Sequence, residues 1–175
     1  MEQDPTVSIV VMGVQGVGKT TIGTQLAARL GVPFIDGDRL HPPRNVELMA
    51  SGHPLTDEDR EPWLRRVGET LAEHRATGGL VIVCSALRRR YRDALRSFDS
   101  EAFFVELYGP MELVAERIGR RTHEYMPPAL LQSQYDTLEP LAADEHGMRV
   151  SIEPAPEVIV DEVLARYLST AEGRS

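Results

Sequence analysis

A chain of 175 residues, 42% of them hydrophobic, is long enough for one well-buried core and short for two, so a single domain over 1–175 is expected. Its formal charge of -8 disfavours a general nucleic-acid or anionic-membrane binder, whose affinity rests on clustered cations that displace counterions. The one cysteine, Cys84, excludes an internal disulfide, and with neither an apolar leader-like run nor a spanning stretch the simplest expectation is a cytosolic protein.

From the N-terminus, residues 7–12 form a mostly β-branched run suited to a strand buried on both faces of a parallel sheet. The run leads into Gly13-Val14-Gln15-Gly16-Val17-Gly18-Lys19-Thr20, which meets the pattern G-x-x-x-x-G-K-[ST] at every fixed position. Ile22, Leu26 and Leu30, with Ala27 beside them, then give one apolar helix face. Strand, glycine loop and helix come in the order a phosphate loop requires. Gly13, Gly16 and Gly18 permit positive φ and close backbone approach, so that main-chain N–H groups and a helix N-terminus can surround an anion. Lys19 is the only lysine among 19 Lys+Arg residues. Its compact ammonium can enter such a cradle and reach outer phosphates, where a planar guanidinium would not fit. Residues 13–21, Thr21 included, are therefore expected to hold a nucleotide, with the Thr20 hydroxyl offered to magnesium.

A second strand at 33–36 runs into Asp36-Gly37-Asp38. Two carboxylates one residue apart can divide the work of phosphoryl transfer: Asp36 is assigned to magnesium, and Asp38 to the acceptor hydroxyl as general base. The strand at 80–84 ends without the acid that motor and switch proteins usually place there. Between these strands, Thr56-Asp57-Glu58-Asp59 supplies a cap and acidic residues for a helix with the apolar face Trp63/Leu64, Val67 and Leu71. Strands at 102–107 and 149–152 precede helix faces Leu113/Val114 and Ile118, and Ile159, Val163 and Tyr167. This alternation predicts an α/β fold in three layers, a five-stranded parallel sheet with helices on both faces and right-handed crossovers. The stretch 122–147 breaks it with Pro127, Pro128 and Pro140 and only a short helix-like piece around Leu130, Leu131 and Gln134; a lid is expected there. The tail 169–175 is expected to fray. Trp63 and Cys84 are read as core residues, and His53, His74 and His146 show no metal-ligand spacing. The residues thus point to a small-molecule kinase and leave its acceptor open.

Several blocks together carry a more specific signal. Asp36-Gly37-Asp38-Arg39-Leu40-His41-Pro42 with Asn45 and Met49, then Gly52-His53-Pro54-Leu55-Thr56-Asp57-Glu58-Asp59-Arg60-Glu61-Pro62-Trp63-Leu64, resembles the gluconokinase family. So do Cys84-Ser85-Ala86-Leu87-Arg88 with Tyr91-Arg92-Asp93, and Met126-Pro127 with Leu130-Leu131, Ser133-Gln134 and Thr137-Leu138-Glu139. The resemblance implies a P-loop nucleoside-triphosphate hydrolase-like fold similar to nucleoside monophosphate and shikimate kinases, and transfer of the γ-phosphate of ATP to the 6-hydroxyl of D-gluconate. It implies that Asp38 and His41 lie at the acceptor, joined by Gln134, and that Arg60 and Arg88 pair with its carboxylate or with the migrating phosphoryl group. Arg117 and Arg121 would close over ATP, and such chains are often homodimers. Leu48 in place of a lysine, His123-Glu124-Tyr125 in place of Gly-His-Phe, and Val17 in place of a small serine-like residue depart from the family pattern. Two other readings stand beside this one: a kinase of the same fold with another acceptor, such as shikimate or another aldonate, and a non-catalytic nucleotide switch. A guanine-reading Asn-Lys-x-Asp motif is impossible with one lysine already committed, and the Asp36/Asp38 pair argues for turnover.

Overall fold

The computed structural model describes residues 6–120 and 128–172. Its elements follow in the order β1 (Val7–Met12), α1 (Lys19–Leu30), β2 (Phe34–Asp36), a 3-10 turn (Gly37–Leu40), α2 (Pro43–Ala50), α3 (Asp57–Arg75), β3 (Gly79–Val83), α4 (Arg89–Arg96), β4 (Phe103–Tyr108), α5 (Met111–Gly119), α6 (Pro128–Thr137), β5 (Gly147–Ser151) and α7 (Pro156–Glu172). All strand pairings are parallel, in the order β2-β3-β1-β4-β5.

The two-residue period of a strand sorts the core into two halves. Ile9, Val11, Val81, Val83, Phe103 and Val105 face one side and pack with Leu26 of α1, Val114 of α5 and Val163 of α7. Val10, Met12, Leu80, Ile82 and Phe104 face the other and pack with Trp63 and Val67 of α3 and Leu95 of α4. Every residue of β1 is buried, which explains why its sequence does not alternate: it is apolar throughout except for Ser8, whose buried hydroxyl donates to Asp99 Oδ2 at 2.5 Å. The expected α/β sheet of five parallel strands, covered on both faces, is the observed one.

The start of α3 is fixed by a reciprocal cap. The Thr56 hydroxyl accepts from the Asp59 N–H at 3.1 Å and the Asp59 carboxylate accepts from the Thr56 N–H at 3.0 Å, two otherwise unmet donors satisfied at once. β5 begins two residues earlier than its β-branched letters suggest, because Gly147 and Met148 pair with β4 without strand-like side chains.

The stretch after α5 differs most from expectation. Its helix-like piece is a ten-residue helix, α6, whose Leu131 is buried and whose Tyr135 hydroxyl donates to Gly109 O at 2.8 Å. Beyond it the chain is stitched down: the Glu139 N–H donates to Leu87 O at 2.7 Å, the Leu141 N–H to Glu106 Oε1 at 2.6 Å, and Glu145 is ion-paired with Arg92. These ties join distant parts of the chain, so no local periodicity announces them.

Candidate active site

Three strand ends meet at the carboxyl edge of the sheet: β1 delivers the glycine loop, β2 the paired acids, and β3 the segment from Cys84 to Arg88. Cα registry sets Val11 beside Val83 and Val83 beside Asp36. This is where an open parallel sheet holds its ligands.

The loop takes the conformation its glycines allow, with φ of 85° at Gly16 and 105° at Gly18. Val14 and Val17 bury their side chains and anchor it in the core. No side chain caps the N-terminus of α1, where Gly18 is the cap residue, so its leading N–H groups are left for an anion. Lys19 is only 8% exposed. Its Nζ donates to Gly13 O at 2.9 Å and lies 3.7 Å from Asp38 Oδ2. The one lysine and the proposed base thus face each other across the mouth of the loop.

Asp36 and Asp38 have different surroundings. Asp36 Oδ1 accepts from the Asp38 N–H at 3.1 Å, capping the 3-10 turn, and its Oδ2 lies 3.5 Å from Arg39 Nε. Asp38 Oδ1 accepts from both the N–H and the hydroxyl of Ser85, each at 3.3 Å. Gly37 separates the two acids because nothing larger fits: a Cβ there would lie 2.7 Å from Val83 O. Its carbonyl accepts from Trp63 Nε1 at 2.8 Å.

Trp63, the expected core anchor, is buried and also stacks on the His41 ring, centroids 4.3 Å apart and planes within 13°. His41 Nδ1 lies 3.1 Å from Asn45 Nδ2. An amide nitrogen can only donate, so in the neutral ring this network puts the hydrogen on Nε2. Burial lowers the His41 pKa; the Asp38 carboxylate opposes that shift and the Arg60 guanidinium adds to it. Arg60 itself donates to Leu55 O at 2.7 Å and lies over the Tyr91 ring, 5.2 Å from its centre. The Tyr91 hydroxyl donates to Asp57 Oδ1 at 2.6 Å. That bond is the main cause lowering the Asp57 pKa, with burial opposing and Arg90, Arg60 and Arg88 assisting. Arg88 Nε is buried with no partner, a donor held ready for an anionic ligand.

A cleft of about 250 Å³ opens between the glycine loop and residues 152–156, with Thr21 and Arg117 on its walls. Arg117 Nη2 donates to Ile152 O at 2.8 Å, which fixes it beside the loop. Arg121, expected to act with it, lies outside the described residues, as do His123, Glu124 and Tyr125. Gln134 Oε1 accepts from the Gln15 N–H at 2.6 Å, which sets its side chain against the glycine loop. Leu131 of the same helix, α6, packs into the core.

Arg120 pairs with Glu116, Arg89 with Asp144 and Arg90 with Asp57, the solvated pairings expected of helix-face arginines. Cys84 is fully buried, and burial pushes its thiol pKa well up, so it is no nucleophile. Among the described residues no group of three or more His, Cys, Asp or Glu could hold a metal by itself. The Thr20 hydroxyl and the Asp36 carboxylate at the loop supply oxygen donors, the kind of ligand a magnesium ion takes beside phosphate and water. No described helix is long and apolar enough to cross a membrane. The sequence set Ser85, Asn45 and Tyr91 in the family-like blocks without giving any of them a role at the site. The position of Ser85 just past a strand end was the available signal.

The profile of the shikimate kinase family matches residues 15–166. A gluconokinase of Gluconobacter oxydans is 48% identical over 160 residues, covering 91% of this chain and 90% of its own. The thermosensitive gluconokinase of Escherichia coli is 47% identical over 144 residues, covering 81% and 76%. The crystal structure of a gluconokinase from Sinorhizobium meliloti superposes with a TM-score of 0.88 at 45% identity, over 95% of this chain and 94% of that one.

Proposed function

The chain belongs to the gluconokinase family, within the shikimate kinase group of phosphate-loop kinases, and on that premise we propose how its residues perform the reaction. It is a kinase that phosphorylates D-gluconate at the expense of ATP, giving 6-phospho-D-gluconate and ADP. The observation that carries the mechanism is the 3.7 Å approach of Lys19 Nζ to Asp38 Oδ2 at the mouth of the glycine loop, a cation for the phosphates beside a base for the acceptor.

ATP lays its triphosphate along the glycine loop and its nucleoside in the cleft walled by Thr21 and Arg117. Lys19 exchanges the Gly13 carbonyl for an outer phosphate oxygen. Thr20 and Asp36 are the residues that would hold a magnesium ion, which would neutralise phosphate charge there. Asp38, kept in place by Ser85, takes the proton of the gluconate 6-hydroxyl as that oxygen bonds to the γ-phosphorus and the bond to ADP breaks. His41 presents its Nε2 hydrogen to a substrate oxygen, and Arg60 and Arg88 pair with the carboxylate or with the moving phosphoryl group. The whole of 1–175 acts as one kinase domain. The chain is tied to Leu87 at Glu139, so residues 139–147 are not part of a lid. A cytoplasmic location, with ATP at hand, suits the reaction.

The test is ADP release by purified protein with magnesium-ATP and a panel of acids. Gluconate is expected to stimulate release at least about a hundredfold over shikimate or water, a modest demand on a site whose hydrogen bonds can reject the wrong acceptor by about 10⁴-fold. Gluconate no better than either would sink the assignment.

A further inference from the structure

Between Ser85 and Arg88, the residues that the loop after β3 brings into the site, lies a strained residue. Ala86 has φ 38°, and among the described residues it is the only non-glycine at positive φ. An alanine Cβ crowds the following carbonyl in this region, so such a residue stays there only where its surroundings impose it. The Ala86 carbonyl accepts from Arg92 Nη1 at 3.0 Å. Arg92 has no exposed surface, and its Nε and Nη2 donate to the two oxygens of Glu145 at 2.8 and 3.0 Å. Glu145 accepts further from the Ala142 N–H at 2.8 Å and from Arg96 at 2.5 Å. Glu139 brackets the loop from the other side, donating its N–H to Leu87 O at 2.7 Å and accepting from the Arg89 N–H at 3.1 Å.

A buried ion pair is an inefficient source of stability, since well-packed apolar residues of the same volume often serve as well or better. What apolar residues could not do is hold a carbonyl in a set direction. We propose that Arg92 is a positioning residue for phosphoryl transfer. By gripping the Ala86 carbonyl it imposes the left-handed turn that aims the Ser85 N–H and hydroxyl at Asp38, and so sets the carboxylate beside Lys19. Arginine is required because its fork reaches Glu145 with two nitrogens and Ala86 with a third, which a point-like ammonium cannot reproduce. The proposal rests on the reading of Asp38 as the base.

Arg92→Lys keeps a cation opposite Glu145 and loses the fork. Assayed at a temperature where circular dichroism shows full folding, it is expected to lose about tenfold in kcat while KM for ATP stays within about twofold, because the nucleotide cradle lies on another loop. In the double variant Arg92→Lys/Ala86→Gly, where glycine adopts φ 38° without strain, most of the lost kcat is expected to return. With every variant fully folded, that recovery has no origin in stability. An unchanged kcat in Arg92→Lys, or a loss that glycine leaves in place, overturns the proposal. Should Arg92→Lys not fold, Glu145→Gln, which keeps the shape of the other partner, is assayed with the same expectations; if neither folds, the pair serves stability alone and the proposal is overturned. A wild-type chain without gluconate-dependent ADP release would sink the reading of the reaction, whereas an active wild type beside an equally active Arg92→Lys sinks only the role of Arg92.

Discussion

Lys19 is bonded to the carbonyl of the residue that opens its own loop and faces the carboxylate of Asp38, so its charge is already oriented before a nucleotide arrives. Preorganised charge of this kind is the main resource of a phosphoryl-transfer site, and Lys19→Ala is expected to lower turnover by several orders of magnitude. Undiminished ADP release would remove the premise. Asp38→Asn should abolish turnover while nucleotide titrations still report binding, since the carboxylate is not part of the cradle; loss of both would mark a structural acid. His41 carries a third expectation. Burial holds its pKa below the ordinary value of about 6.5, against the pull of Asp38. The unfolded chain therefore binds more protons there than the folded one as pH falls through 6.5, and the contribution of His41 to stability shrinks on acidification. Its ring C–H resonances should titrate below 6.5 in an NMR series, and a midpoint at or above that value would contradict the burial described.

Among the elements, the segment after α6 is held to α4 by charge, through Glu145 on Arg92 and Arg96. Burial pushes the Glu145 pKa up, but hydrogen bonds from Arg92, the Ala142 N–H and Arg96 outweigh it and hold the group at about 2. The unfolded value is near 4.5, so the stabilisation is complete above that pH and is lost as pH falls from 4.5 towards about 2. Denaturant midpoints measured through this window should fall steeply for the wild type. For Glu145→Gln the dependence should be shallower by up to about one proton, or about 1.4 kcal/mol per pH unit. Equal slopes for both proteins would show that the pair does not tie residues 138–146 to α4. The same segment shows where sequence reading reached its limit. The length of α6 and the anchoring beyond it were hidden, because Arg92 and Glu145 are 53 positions apart and neither sits in a repeating pattern.

On the scale of the whole molecule, what was legible followed local rules. β1 could be read because burial on both faces demands a largely apolar, β-branched run, α3 because Thr56 caps it and its Trp63–Leu71 stripe repeats at helical spacing, and the phosphate loop because its chemistry fixes four positions at set intervals. Asp36 and Asp38 could be read because both stand on one strand end. Ser85, Asn45 and Gln134 took their places through tertiary contact: Ser85 meets Asp38 across 47 positions and Gln134 meets Gln15 across 119. Such closures depend on how layers stack, and one-dimensional periodicity carries no trace of them. One consequence of the stacking is optical. The chain has a single indole, and it lies flat against His41, the residue proposed to meet the acceptor. A protonated imidazole quenches an adjacent indole more strongly than a neutral one. The intrinsic emission of the unlabelled protein is thus a gauge of the charge on that imidazole and of what meets it.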